Sequence, residues 1–300
     1  MNTKKFNMKK LRHKARDGWF VDIVAYGIVT LFSLACLIPF IYVLIYSVTP
    51  YSVYLKSPTS LIPRAFTLES YRIILNLDLI RTGYFNTLFI VLVSTPLAMI
   101  LLSITAYPLS KKEFMLRKPL MFLWIVTMFF SGGMIPNYYL IRNLNLINSL
   151  WSLILPGLTG AYNIILMRNF ISQIPESLEE AALIDGANEI QILFRIVMPL
   201  CLPSLAALAL FHAVGTWNSY FNAIIYITKR SNWPLQLVLR EIVVEHNMNQ
   251  VNTGGVSEDL TNPFTMKMAA IMVATLPIMC IYPFLQKYFI KGMLVGGVKE

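Results

Sequence analysis

Residues 82–109 read TGYFNTLFIVLVSTPLAMILLSITAYPL, a run without a single Asp, Glu, Lys, Arg or His. A helix rises about 1.5 Å per residue, so a bilayer core about 30 Å thick is crossed by roughly 20 apolar residues. This run is long enough to cross. Working outward, the same character returns at 23–48, 119–140, 150–167, 200–228 and 268–285, with His212 the only such residue in any of them. A Lys, Arg or Asp at the centre of a spanning helix costs about 2.5–3.5 kcal/mol on insertion scales, so their shared absence is informative. The expected fold class is all-α: a polytopic membrane protein with six transmembrane helices.

The composition agrees. In 300 residues, 56% are apolar and 13% charged, too little polar surface to coat a water-soluble globule. The net charge of +10 suits basic residues beside anionic lipid headgroups. It would also suit a nucleic-acid binder, but the hydropathy decides against a nucleic-acid partner. Cys36, Cys201 and Cys280 lie far apart in apolar stretches, without a CxxC pattern or a disulfide framework, and read as small packing residues. Pro96, Pro108, Gly132, Gly133 and Pro136 fall inside the second and third spans, where membrane helices tolerate them if neighbours satisfy the freed backbone groups.

Orientation follows from charge. Lys4, Lys5, Lys9, Lys10, Arg12, Lys14 and Arg16 precede the first span with no acidic residue before Asp17, which places the N-terminus in the cytoplasm. The first apolar run is too long for a cleaved signal peptide and reads as a retained helix. The loop after span two carries Lys111, Lys112, Arg117 and Lys118 and is cytoplasmic by count and by charge. Counting on, 49–81 and 229–267 are outside, and 168–199 and the C-terminus inside. The segment 168–199 has Arg168 and Arg195 against Glu176, Glu179, Glu180, Asp185 and Glu189, so its placement rests on the count alone. The organisation expected is a basic cytoplasmic N-terminus at 1–22, one transmembrane domain at 23–285, and a cytoplasmic tail at 286–300, in a multi-pass protein of a bacterial cytoplasmic membrane.

The inner loop 174–199, IPESLEEAALIDGANEIQILFRIVMP, reads as a helix-turn-helix. Ser177 with Glu180 forms the pattern of a capping box starting a short helix. Leu178, Ala181 and Ala182 give that helix a flat apolar side. Gly186 stands where a helix ends in a left-handed turn, and Asn188 can cap a second helix. In the second helix Ile190, Leu193, Phe194 and Val197 repeat at the spacing of one buried face.

Glu180-Ala181-Ala182 followed by Gly186, Ile196 and Pro199 resembles the EAA loop of permease subunits of ABC importers. Further stretches resemble the carbohydrate-uptake permeases of the maltose-permease type: Ala106-Tyr107-Pro108-Leu109-Ser110, Trp217-Asn218, and the segment from Gln286 to Gly292. The segment from Phe130 to Pro136, FSGGMIP, is similar to the polysaccharide and aldouronate branch of that family. Two positions depart from the pattern: Met198 stands where Leu is usual, and Ser219 follows Trp217-Asn218 where many sugar permeases carry an acidic residue. The resemblance implies a transport subunit, not an enzyme, with Glu180, Ala181, Ala182, Asp185 and Gly186 coupling it to a separate ATPase. It implies a second homologous permease, two ATPase subunits that use ATP and Mg²⁺, and an extracytoplasmic binding protein delivering a sugar, with an oligosaccharide expected. The ATPases would drive alternating access by pushing on the short EAA helix.

No catalytic residue or metal site is expected, and no cofactor bound by this chain. There is no Gly-x-x-x-x-Gly-Lys-Ser/Thr phosphate loop, and the three His residues, at 13, 212 and 246, are scattered. His212, inside span five, is either functional or a neutral side chain bonded to a neighbouring helix. Glu241, Glu245, Glu258 and Asp259 read as a solvated loop face. In span five Gly215, Asn218 and Asn222 share one helical face, flanked by Trp217 and Tyr220. Amides and aromatics suit sugar hydroxyls and ring faces, so this segment either lines the translocation pathway or packs helices together. An importer of a non-sugar solute is the alternative reading. A coupled secondary transporter fits less well, because no acidic residue sits at mid-span.

The topology is testable. With Cys36, Cys201 and Cys280 replaced, single cysteines near Ser60 and Gly254 are expected to react with an impermeant thiol reagent in intact cells, and one near Glu180 not to. Labelling at Glu180 contradicts the topology.

Overall fold

The computed structural model describes residues 19–58, 65–244 and 262–297, with the side chains of Phe20 and of 282–297 left aside. The basic N-terminal cluster, His13, His246, Glu245, Glu258, Asp259, and the probe positions Ser60 and Gly254 lie outside the described residues. Among those residues the structure is helical with no strand. The helices are α1 (Trp19–Ser47), α2 (Tyr51–Lys56), α3 (Glu69–Asn76), α4 (Asp78–Ser110), α5 (Arg117–Phe129), α6 (Met134–Asn143), α7 (Trp151–Ile154) and α8 (Ala161–Ile171). There follow α9 (Glu176–Ile184), α10 (Glu189–Ile192), α11 (Met198–Leu200), α12 (Leu202–Asn218), α13 (Phe221–Tyr226), α14 (Leu235–Val244) and α15 (Pro263–Gly297).

The described residues fall into two compact units, one up to residue 71 together with the segment up to 272, the other 72–244 with 273–297. In the first unit, α1 presents bare apolar side chains along most of its length, Tyr26 and Leu31 among them. A surface of that kind needs lipid or a partner against it. At the end of α1, Tyr46 packs ring against ring with Tyr54 and Phe264, and Tyr54 and Phe264 are stacked at 4.3 Å.

The second unit is organised on α4. Its buried residues Ile80, Gly83, Thr87, Ile90, Ser94, Ala98, Leu102 and Ala106 recur every three or four positions, a single stripe rich in small side chains. Small residues let helix backbones approach closely, which is how apolar helices gain packing energy where no water is displaced. The lower half of the stripe meets Ile164, Met167 and Ile171 of α8, Cys201 just before α12, and Leu205 and Leu208 of α12 in one core. At the upper half, a Cβ on Gly83 would stand 3.3 Å from Leu235 Cα and from Val238 Cγ2 of α14.

Three helices are long and apolar enough to cross a bilayer, 21–47, 78–110 and 263–281, or up to five if two bent pairs each count as one span. The expected straight spans three, four and five are all interrupted. The third is α5 and α6, bent by 115° at Phe130–Gly133. The fourth is divided by a 3₁₀ turn at Leu155–Gly157 and resumes only at Ala161. The fifth begins at a bend of 82° near Cys201, and α12 ends at Asn218. Pro and Gly at these places do more than weaken a helix: they end it.

Backbone groups of the irregular strap 227–234, which follows α13, find protein partners. The strap 227–234 is tied down by Asn148, whose Oδ1 accepts from Thr228 N at 2.7 Å and Lys229 N at 2.9 Å. Asn86 Nδ2 donates to Ser231 O at 2.9 Å and to Trp233 O at 3.0 Å. Glu241, expected on a solvated face, is instead buried and ion-paired with Arg230. Of the cysteines only Cys201 packs inside; Cys36 and Cys280 are exposed on apolar helices.

Gly83→Leu is expected to force α14 off α4 and to cost about 1–3 kcal/mol, the usual range for overpacking, with Gly83→Ala costing less. Thermal unfolding of the detergent-solubilised protein checks this, and equal stability of all three proteins contradicts the packing.

Candidate functional site

Two places in the second unit carry functional geometry. The first is the helical pair α9 and α10. Pro175, extended at φ −58° and ψ 127°, stands before the first turn of α9 without a side-chain cap. Ser177 is therefore already inside the helix and does not form the expected capping box. The far end behaves as read. Gly186 has φ +82°, its N–H donates to Leu183 O at 3.0 Å, and Ala187 N donates to Ala182 O at 2.9 Å, which together satisfy the carbonyls left over at a helix end. Two residues later Asn188 Oδ1 accepts from Gln191 N at 2.9 Å while Gln191 Oε1 accepts from Asn188 N at 3.0 Å, a capping box that starts α10.

The faces differ from the expectation. On α9, Glu179 and Ala182 are buried, whereas Glu180, Ala181, Leu178, Asp185 and Gly186 are exposed, as is Ile184 at 86%. The expected flat side of Leu178, Ala181 and Ala182 is thus split between core and surface. Beyond α10 the chain winds as a π-helix over Leu193–Val197. One extra residue per turn shifts the register, so the buried face is Ile192, Leu193 and Val197, with Ile190 exposed at 69% and Phe194 at 42%.

What holds this pair is the end of α4, which sequence reasoning did not connect to it. Tyr107 Oη lies 2.6 Å from Glu189 Oε2 and 3.0 Å from Glu179 Oε2. Lys111 is ion-paired with Glu179 and sits 4.7 Å from the centre of the Tyr107 ring. Burial lowers the Lys111 pKa from its ordinary value, an effect opposed by Glu189, Glu113 and Glu176. On the surface Lys112 Nζ meets Glu176 Oε1 at 3.0 Å, and Arg168 Nε donates to the carbonyl of Leu109 at 3.1 Å. A groove of about 680 Å³ runs beside these groups, with Lys112, Arg117, Glu180, Leu183 and Ile190 among its walls.

The second place is a cavity of about 290 Å³. Thr87 and Ile90 of α4 form one wall; Phe211, His212, Gly215 and Thr216 of α12 form another; Leu153, Pro156, Gly157, Ser219, Asn222 and Pro234 complete it from the broken segments. Its lining has hydroxyls, one amide and one imidazole, and no carboxylate, Lys or Arg. His212 Nε2 is 3.3 Å from Ser94 Oγ, so it both bridges α12 to α4 and borders the cavity.

Of the sequence-selected residues, Gly215 and Asn222 line this cavity. Asn218 does not: its Nδ2 donates to Val214 O at 3.0 Å and its Oδ1 accepts from Gln236 at 3.4 Å. Trp217 is buried and donates to Ala274 O at 3.2 Å, and Tyr220 is exposed. The shared helical face is lost because α12 stops at Asn218 and Ser219 is extended. Thr87, Thr216 and Ser219 were missed, although the spacing of Thr87 and Ser94 along span two places both on one helix face. Among the described residues no three His, Cys, Asp or Glu side chains gather as metal ligands.

Comparison with known proteins gives consistent matches. Residues 13–295 match the family described as "Binding-protein-dependent transport system inner membrane component". The polygalacturonan/rhamnogalacturonan transport system permease protein YtcP of Bacillus subtilis (strain 168) is 42% identical over 283 residues, covering 93% of this chain and 98% of that protein. Protein LplC of the same bacterium is 38% identical, covering 88% of this chain and 89% of that protein. A chain from the crystal structure of a bacterial ABC transporter involved in the import of the acidic polysaccharide alginate superposes with a TM-score of 0.85 at 32% identity, covering 91% of this chain and 98% of that one.

At Gly186 nothing stands within 4 Å of an added Cβ, so the only obstacle to substitution is the positive φ. Gly186→Val is expected to cost about 1–3 kcal/mol and to loosen the α9–α10 turn, whereas Gly186→Asn, a residue that tolerates this conformation, stays close to the parent. Protease sensitivity of the 185–189 turn in both variants checks it.

Proposed function

Since the chain belongs to the family of binding-protein-dependent transport system inner membrane components, we propose that it is the membrane permease of an ATP-driven importer of oligosaccharides, with uronate-containing chains the favoured cargo. The observation that carries this reading is α9. It is a short helix exposed along one side, fixed by burial of Glu179 and Ala182 on the other, at the end of the helices that wall the cavity.

Charge and geometry also support an orientation. The loop after α4 carries Lys111, Lys112, Arg117 and Lys118, and basic loops stay in the cytoplasm. Two of those lysines touch α9, through Glu179 and Glu176, so α9 lies on the cytoplasmic side with them. A separate ATPase pair, using ATP and Mg²⁺, is its natural partner there. Closure of that pair would press on the exposed residues Glu180, Ala181 and Asp185. From α9 the stroke runs through the tight Gly186 turn, α10 and the π-helical segment into α12, one wall of the cavity. The chain itself binds no nucleotide in this account.

On the opposite side a binding protein delivers the sugar, and a second permease chain completes the pathway. Hydroxyls and an amide suit sugar hydroxyls, and a lining without carboxylates avoids repelling an anionic sugar. The polygalacturonan-transport relative and the alginate importer add support for that class of cargo.

The test is uptake of labelled oligogalacturonides by vesicles holding the assembled complex. Uptake that requires ATP and the binding protein is expected. Uptake driven by a proton gradient without ATP contradicts the reading. In the same assay Asn222→Ala, which removes a cavity amide, is expected to slow uptake about tenfold, the effect of losing one to two kcal/mol of hydrogen bonding, and Asn218→Ala to change it less than about twofold.

A further inference from the structure

The stroke described above reaches α12 along the chain, but the opposite cavity wall, α4, has no covalent link to α9 or α10 nearby. The polar cluster at the end of α4 supplies a noncovalent link. Tyr107 has a single hydroxyl proton and two carboxylates in reach, Glu189 at 2.6 Å and Glu179 at 3.0 Å. The division of partners is settled by Lys111. Its ammonium pairs with Glu179, leaving the Tyr107 proton to the nearer Glu189. Tyr107 of α4 and Lys111 just past the helix end therefore grip both inner helices at once, Glu179 from α9 and Glu189 from α10. Tyr107 and Glu179 are buried, with Ala182 and Leu193 packed in the same core, whereas Lys111 is partly buried and Glu189 lies at the exposed rim.

We propose that Tyr107 is a positioning residue that transmits the displacement of the inner helical pair to α4, so that both walls of the cavity, Thr87 on α4 and Gly215 on α12, move in one step. This rests on the reading that an ATPase docks on α9. A hydrogen bond to a carboxylate is stronger than one between neutral groups and fixes direction as well as distance, which is what a transmitted push requires. Without it the ATPase still presses on α9 and α12 still responds, but α4 lags and hydrolysis proceeds without full opening. The predicted defect is uncoupling.

The experiment uses the complete complex in proteoliposomes and reads sugar imported per ATP hydrolysed. Tyr107→Phe keeps the ring under Lys111 and removes only the hydroxyl; the ATPase is expected to copurify while the ratio falls about tenfold, the size of one charge-assisted hydrogen bond. Glu189→Gln leaves an oxygen to accept the Tyr107 proton and is expected to keep the ratio within about threefold, and the double variant to fall no further than Tyr107→Phe alone. A Tyr107→Phe complex with the parental ratio overturns the proposal. So does one in which ATPase binding and uptake vanish together, since that is a folding role. If the unaltered chain holds no ATPase, the docking reading fails first and takes this inference with it.

Discussion

Amides and carbonyls inside a hydrocarbon layer have no water to bond, so every interruption of a helix there must be satisfied by protein or line a cavity. The second unit of this chain obeys that constraint in the strap 227–234 and at two of its breaks. Asn148 and Asn86 hold the strap 227–234, and Thr87 Oγ1 accepts from Leu235 N at 2.8 Å where α14 begins. Two of the breaks, at Pro156–Gly157 and at Ser219, border the cavity. Polar cavity and broken helices are thus one feature: ending a helix provides the amides and side chains that a sugar can use, and α4, with its small-residue stripe, is the unbroken element against which the pieces pack.

The opposite end of α4 obeys a different constraint. Glu179 is a buried carboxylate, and a buried charge is tolerated only when paired and hydrogen-bonded. Lys111 and Tyr107 meet that need from α4. The chemistry that makes this end stable also makes the inner helical pair and α4 mechanically continuous. Breaking one partner of such a pair is more damaging than replacing both, which makes the site sensitive to single substitutions.

Much of this was legible in the sequence where the signal is local. The left-handed Gly186 and the Asn188 cap were readable because their geometry is decided within four residues. Ser177 misled because Pro175 starts α9 before it. The four-residue buried face of the second helix failed because a π-helix at Leu193–Val197 changes the period on which the pattern depends. The interruptions in the expected spans three to five went unread, because hydropathy registers apolar length and is blind to a bend. Asn218 and Trp217 were read as lining the pathway or packing helices together, from a helical register that ends at Asn218 itself. Tyr107 was quoted as part of a familiar stretch, but its partners are 72 and 82 residues away, and such pairings leave no periodic trace.

The central claim is that the exposed side of α9 is where an ATPase delivers its stroke. The most direct measurement is site-directed cross-linking from a single cysteine at Ala181, with Cys36, Cys201 and Cys280 replaced, in membranes containing the whole transport system. The account predicts a cross-link to the copurifying ATPase chain whose yield changes when ATP is bound and hydrolysed. A cysteine at Ala181 that labels freely with a cytoplasmic thiol reagent yet never cross-links to any ATPase, in a system that transports, would contradict it.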